Sequence, residues 1–329
     1  MKNVKSRLDK NLVPVVEMLS QSGYPLDLDN DLEGARAIMK AGTTQALELG
    51  NQIKGVEKQL LTAPSRTDAY EISMFVYRPT NQDSALPLIY WTHGGGLVVG
   101  DAQQDDLLLR NFVNELQCVV VSVEYRLAPE HPFPTPIEDI YSGLKWAFEQ
   151  ADKLKIDPTR IIIGGASAGG GLTAALAQIV RDRKELSSPL IYQLLMYPML
   201  DNLNTMPLPE DEEDTYVWTK ANNISGWKYY LGQPPQTEDL PVYASAARMD
   251  NLEGLPPAMI IIGDIDLFSG ENIEYARRLN EAGVSTELHV YPGGIHGFEL
   301  LTPDSKIGQN FISSVYSGLR NAINGHDKR

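Results

Sequence analysis

A single cysteine, Cys118, stands in the 329 residues, so no intrachain disulfide can form. It falls in the apolar run Gln117-Cys118-Val119-Val120-Val121-Ser122-Val123, where a buried thiol is an inert packing group. Positive charge is scarce: 28 lysines and arginines face 43 aspartates and glutamates, for a net charge of −15. Such an acidic surface repels nucleic acid and anionic membranes, so neither is expected as a partner. No uninterrupted apolar stretch approaches the ~20 residues that span a bilayer, and no charged-then-apolar leader opens the chain. A soluble cytoplasmic protein without membrane insertion is therefore expected. The densest acidic run, Pro209-Glu210-Asp211-Glu212-Glu213-Asp214, lacks the glycine turn and regular ligand spacing of a calcium loop, and neither metal nor cofactor is expected. Histidine is also sparse, with five in all, which leaves few candidates for a general base.

An apolar fraction of 43% is enough for a substantial core, and a chain of this length commonly forms one α/β domain. Residues 1–50 read as helical, with Pro14 in the first turn of one helix and Leu32, Ala35, Ile38, Met39 and Ala46 on one face of a second. From Val56 the period changes. Strands are predicted near 56–62, 70–77, 87–92, 118–124, 160–164, 191–197, 258–263 and 286–291, with helices near 102–116, 136–150, 168–183, 271–282 and 306–322. The alternation predicts a mostly parallel eight-stranded sheet with helices on both faces. There is no internal repeat and no low-complexity linker. One stretch, 201–235, breaks the alternation with the acidic run and then Tyr216, Trp218, Trp227, Tyr229 and Tyr230. Insertions of this length between core elements tend to be functional, often lids, although most of these aromatics are expected to pack the insertion's own core.

Ile161-Ile162-Ile163-Gly164-Gly165-Ala166-Ser167-Ala168-Gly169 sets a serine between a buried strand and an amphipathic helix. Gly165-x-Ser167-x-Gly169 is the pattern of a nucleophile elbow, in which small flanking residues allow a sharp turn that presents the hydroxyl at the helix N-terminus. Upstream, His93-Gly94-Gly95-Gly96 follows the strand Leu88–Thr92. Glycines there let the backbone approach a substrate oxygen, and the N–H groups of Gly94, Gly95 and Ala168 are the expected donors to an oxyanion. His93, which begins that loop, is expected to brace it. Of the other histidines, His289 is mid-strand, His131 is wedged among prolines and His326 is in the terminal tail. His296, in the loop leaving the last strand, is the expected base. The orienting carboxylate has three candidates just past strand ends: Asp264, Asp266 and Asp201. Residue physics alone leaves Asp264 and Asp266 undecided.

Three motifs in order, His93-Gly94-Gly95-Gly96, Gly165-Ala166-Ser167-Ala168-Gly169-Gly170 and His296-Gly297-Phe298, resemble the hormone-sensitive-lipase-like carboxylesterases, bacterial family IV. Tyr125-Arg126-Leu127-Ala128-Pro129-Glu130 and His131-Pro132-Phe133-Pro134 are similar to that family's middle segment, and the likeness runs from about residue 56 to about residue 320. The resemblance implies an α/β-hydrolase fold in a single domain, 1–329, with a helical cap made of about 1–50 and the insertion 201–235. Laid on the chain from Tyr275-Ala276, the family's acid segment implies that Asp266 is the catalytic aspartate. The implied activity is hydrolysis of short-to-medium-chain acyl esters by Ser167, His296 and Asp266 through an acyl-enzyme. The family also implies pairing into a homodimer through the last strand and its helix. There are departures. Leu267 replaces a proline, Gly270 replaces a second aspartate, and Ala166 stands where the family most often has aspartate. Leu97 replaces an aromatic after the glycines, a position expected to bear on substrate binding. The alternatives are an amidase or peptidase on the same fold, and a non-catalytic small-molecule-binding member. The presence of His296 counts against the second.

Overall fold

The computed structural model describes residues 4–22, 24–203, 216–237 and 239–325. The acidic run at 209–214 and His326 lie outside the described residues. Two helices, α1 (Val13–Leu19) and α2 (Leu32–Gly50), precede β1 (Val56–Pro64), β2 (Glu71–Pro79) and β3 (Leu86–Thr92). Then follow α3 (Asp106–Leu116), β4 (Val119–Glu124), α4 (Thr135–Glu149), the one-turn α5 (Ala151–Leu154) and β5 (Ile156–Ala166). The second half holds α6 (Ala168–Arg183), β6 (Tyr192–Met196), α7 (Lys220–Leu231), β7 (Ala258–Gly263) and α8 (Ser269–Glu281). It closes with β8 (Thr286–Tyr291), the short α9 (Phe298–Leu301) and α10 (Lys306–Gly325).

The strands form one eight-stranded sheet in the order β1-β2-β4-β3-β5-β6-β7-β8. Only β2 runs against its neighbours; the pairings from β4 through β8 are all parallel. Parallel strands covered on both faces must be apolar throughout, and Val119–Val121, Ile161–Ile163 and Ile260–Ile262 are fully buried. Helices α3 and α10 pack together over one face, and α4 and α6 over the other. Because β3, β5, β6, β7 and β8 are mutually parallel, the loops after them converge on one edge of the sheet, where open α/β sheets bind ligands.

The predicted strands all form, with shifted ends. Strand β5 starts at Ile156 rather than 160, because Ile156 pairs with Leu86 across a register shift before the regular ladder begins at Ile161. Helix α3 starts at Asp106 rather than 102. The residues before it are held by the sheet: the Ala102 N–H donates to Glu124 Oε2 at 2.9 Å, the Ala102 carbonyl accepts from Ser122 Oγ at 2.8 Å, and Asp105 accepts from Trp91 Nε1 at 2.7 Å. The insertion contains α7, capped by Thr219 and Asn222 bonding reciprocally to each other's backbone. This helix touches the N-terminal segment, where Asn222 Nδ2 donates to the Leu26 carbonyl at 2.6 Å and Tyr229 Oη donates to Asp29 Oδ1 at 3.2 Å. Trp218, Trp227 and Tyr230 are buried; Trp227 packs on Tyr230 within the insertion, whereas Tyr230 also meets Phe133 and Trp218 sits against Gly96, both outside it.

Candidate active site

Ser167 lies between β5 and α6 with φ 57° and ψ −123°, a left-handed φ that costs a non-glycine residue strain. The turn survives because its surroundings hold it. The Ser167 N–H donates to the Met196 carbonyl at 2.8 Å, and the Ser167 carbonyl accepts from Gly171 and Met199, both at 3.0 Å. Only glycine fits at 169, since a Cβ there would collide with the carbonyls of Thr92 and His93. The elbow is thereby pressed directly against the loop that follows β3.

That loop runs from Gly94 to Val99, and its own turn is closed by the N–H groups of Val98 and Val99 on the Gly95 carbonyl at 3.1 and 3.0 Å. A Cβ on Gly94 would lie 3.3 Å from the Cβ of Ser167, which measures how near the loop passes to the nucleophile. As the first residue of α6, Ala168 has an N–H that no helical carbonyl can accept. Among the described residues, no backbone carbonyl takes a hydrogen bond from Gly94, Gly95 or Ala168 outside the regular elements. These three N–H groups are therefore left without a backbone acceptor, the condition that donors to an oxyanion must meet. Leu97 is only 2% exposed, and its carbonyl accepts from Ala128 N at 3.1 Å.

His93 is fully buried, its ring stacked on Tyr125 at 4.2 Å with Nδ1 donating to the Gly94 carbonyl at 2.8 Å. Tyr125 Oη donates to the His93 carbonyl at 2.9 Å, and burial pushes the imidazole pKa down. A neutral imidazole held this way braces the loop, in agreement with the expectation from sequence.

His296 is the histidine that reaches the serine. Its Nε2 lies 2.9 Å from Ser167 Oγ and its Nδ1 lies 2.7 Å from Asp266 Oδ2. The other oxygen of Asp266 accepts the Phe268 N–H at 2.9 Å, which fixes the carboxylate. The His296 ring is walled edge-to-face by Phe268 at 5.4 Å and by Tyr197 at 4.8 Å. With Nδ1–H donated to Asp266, Nε2 is left as an acceptor for the serine proton.

The other two carboxylates do different work. Asp264 accepts the Gly293 N–H at 2.7 Å and pairs with Arg7 at 2.6 Å, bracing the loop that leads to His296. Asp201 pairs with Arg248 at 2.7 Å and accepts the Leu203 N–H at 3.0 Å at the root of the insertion. His289 lies on β8, 3.5 Å from Glu287.

Glu271 and Glu299, both buried, are not singled out by the sequence. Glu271 accepts the Leu200 N–H at 2.7 Å, and burial pushes its carboxyl well above the ordinary value. Glu299 accepts from Tyr197 Oη at 2.5 Å beside the His296 ring. Neither lies in a motif with a fixed chemical reading, so only the fold reveals them.

A family model described as alpha/beta hydrolase fold matches residues 89–300. The carboxylesterase NlhH of Mycobacterium tuberculosis is 33% identical over 289 residues, covering 87% of this chain and 88% of that protein. The ethyl acetate hydrolase of Pseudomonas putida is 32% identical over 236 residues, covering 70% of this chain and 72% of that one. The structure of a bacterial heroin esterase superimposes with a TM-score of 0.88 at 34% identity, covering 98% of this chain and 99% of that one.

Proposed function

Because the chain belongs to the α/β-hydrolase fold family, in its hormone-sensitive-lipase-like carboxylesterase branch, we propose that it hydrolyses carboxylic esters with Ser167, His296 and Asp266 as its catalytic triad. One observation carries this reading: the unbroken hydrogen-bonded chain from Ser167 Oγ through the His296 imidazole to Asp266. Ser167 Oγ attacks the ester carbonyl as its proton passes to His296 Nε2, and Asp266 holds the imidazole tautomer and stabilises the imidazolium. The N–H groups of Gly94, Gly95 and Ala168 take up the charge on the carbonyl oxygen. His296 then returns the proton to the departing alcohol, and a water molecule, activated by the same base, releases the acid.

The substrates proposed are short-to-medium acyl esters of small molecules. The name of the ethyl acetate hydrolase relative supports the short end of that range. So does the cover that the insertion brings to the site, since Trp218 sits against Gly96 of the oxyanion loop. The cap is assigned to about 1–50 together with 201–235, supported by the hydrogen bonds between α7 and the N-terminal segment. No described helix is long and apolar enough to cross a membrane. A cytoplasmic location is proposed, supported by the buried, unpaired Cys118. Pairing into a homodimer is proposed along the open edge of β8, where Leu288 and Val290 are exposed, and light scattering tests it.

Turnover of p-nitrophenyl esters of increasing chain length tests the activity, with Ser167→Ala beside wild type. The variant is expected to fold and to retain only the residual catalysis of binding and oxyanion stabilisation, on the order of 10³–10⁴ over water. Retention of activity within about tenfold of wild type would remove Ser167 from the mechanism.

A further inference from the structure

Glu299 lies in the first turn of α9, three residues beyond His296, and is 2% exposed. Its Oε1 accepts from Tyr197 Oη at 2.5 Å, while Oε2 is buried and has no hydrogen-bond partner among the described residues. Tyr197 directly follows β6 with φ 36°, anchored by its N–H on the Ile261 carbonyl at 2.8 Å, and its ring lies against both His296 and Phe311. Among the described residues the groups that act on Glu299 are Tyr197, its own backbone N–H, His296 and Asp105, with no lysine or arginine, and Asp105 and Asp266 act on Tyr197 in turn.

A glutamine would serve as well as an acceptor for the Tyr197 hydroxyl without the cost of burying an ionisable group. A carboxyl kept in such a place is therefore explained best by its charge. The nearest group whose charge changes during turnover is His296, which becomes an imidazolium in both acylation and deacylation. We propose that Glu299, held by Tyr197, is a positioning residue whose ionised form favours the imidazolium on His296, so that its protonation slows turnover. The inference rests on the triad reading of His296.

The acid–base properties agree. Burial raises the Glu299 carboxyl to about 7, offset in part by the Tyr197 hydroxyl and by His296 and reinforced by Asp105. Burial also pushes the Tyr197 hydroxyl well above its ordinary value, so Tyr197 stays a neutral donor throughout the working range. Glu299 thus gains its charge as the pH rises through neutrality. The acid limb of activity then contains the protonation of Glu299.

Glu299→Gln keeps the acceptor and removes the charge. Its kcat is expected to fall about fivefold to tenfold relative to wild type on the alkaline side of neutrality, with KM nearly unchanged. The deficit should shrink towards nothing on the acid side, where wild type is protonated as well. A merely structural role would give a deficit independent of pH. Tyr197→Phe, which retains the ring, serves as the second variant. Without the hydroxyl the carboxyl ionises later, so its deficit should persist to higher pH before closing. A pH-independent ratio of wild type to Glu299→Gln, or a variant as active as wild type at every pH, would overturn the proposal. Should Glu299→Gln fail to fold, the closing of the Tyr197→Phe deficit at high pH decides in its favour and its absence decides against it. Full activity in Ser167→Ala would instead sink the triad reading itself, so the two failures are distinguishable.

Discussion

The guanidinium of Arg36, on α2, donates through Nε to the carbonyl of Val98 in the oxyanion loop at 3.2 Å. Its remaining N–H groups reach the Ala128 carbonyl at 3.3 Å, both oxygens of Glu130 at 2.8 and 2.7 Å, and Glu33 at 3.1 Å. One side chain thus ties an N-terminal helix to the loop that carries Gly94 and Gly95, and to the segment around Ala128 whose N–H holds Leu97.

An ammonium cannot replace that planar fork, because it reaches a carbonyl and a bidentate carboxylate with poorer geometry. Arg36→Lys is expected to lose about 1–3 kcal/mol of stability and to lower kcat several-fold as the oxyanion loop loosens. Denaturant melts and steady-state kinetics check this. A variant with unchanged melt and turnover would mean that the loop holds its shape without α2.

Gly96 adopts φ 56°, and a Cβ placed on it would collide with the indole ring of Trp218. Gly96→Ala therefore strains the backbone and displaces Trp218 at once, and kcat/KM is expected to drop by about 10- to 100-fold. Adding Trp218→Ala removes the clash and should restore part of the loss. A double variant no better than Gly96→Ala would assign the whole effect to the backbone angle.

Glu124, at the end of β4, gives a pH-dependent prediction about stability. Burial raises its carboxyl to about 7, against the ordinary 4.5, with Ala102 N–H and Lys40 pulling down and Asp101 pushing up. Between those two values the unfolded chain releases the proton while the native chain keeps it. The native state binds more protons there, so this group's contribution to stability falls as pH rises through the window and is flat above it. Glu124→Gln lacks the effect but keeps an acceptor for Ala102. Its Tm should gain on wild type from about pH 5 to about pH 7 and then run parallel to it. Parallel curves across the whole range would show that burial does not hold the proton on Glu124.

The eight strands are legible in the sequence because a two-faced buried strand writes itself as a β-branched run, as in Ile161–Ile163 and Ile260–Ile262. The serine, the oxyanion loop and His296 are legible because each sits in a local motif whose glycines are needed for backbone shape. Helix α7 is harder to read: Asn222, Asn223 and Ser225 are buried in it, and buried polar residues obscure a helical face. The bond between Tyr197 and Glu299 leaves no trace in the sequence. The two are separated by 102 residues and meet only because β6 and the loop after β8 end at the same edge of the sheet.

The choice among Asp264, Asp266 and Asp201 is open to residue physics for the same reason, since all three follow strands that end at that edge. Geometry separates them: Asp266 bonds His296 at 2.7 Å, Asp264 pairs with Arg7 and Asp201 pairs with Arg248. Asp266→Asn would present an amide to Nδ1, favour the wrong imidazole tautomer and cost on the order of 10⁴ in kcat, the magnitude seen when a serine protease loses this carboxylate. Asp264→Asn removes a partly exposed ion pair with Arg7, worth about 1 kcal/mol at most, while an amide oxygen still accepts from Gly293. Asp201→Asn should weaken the root of the insertion and register chiefly as a lowered Tm. Assaying the three together with melting temperatures makes the test sharp, because loss of an orienting group lowers kcat at unchanged Tm, whereas loss of a brace lowers Tm first. Full activity in Asp266→Asn, with collapse of either of the others, would move the role to that residue and break the proposed triad.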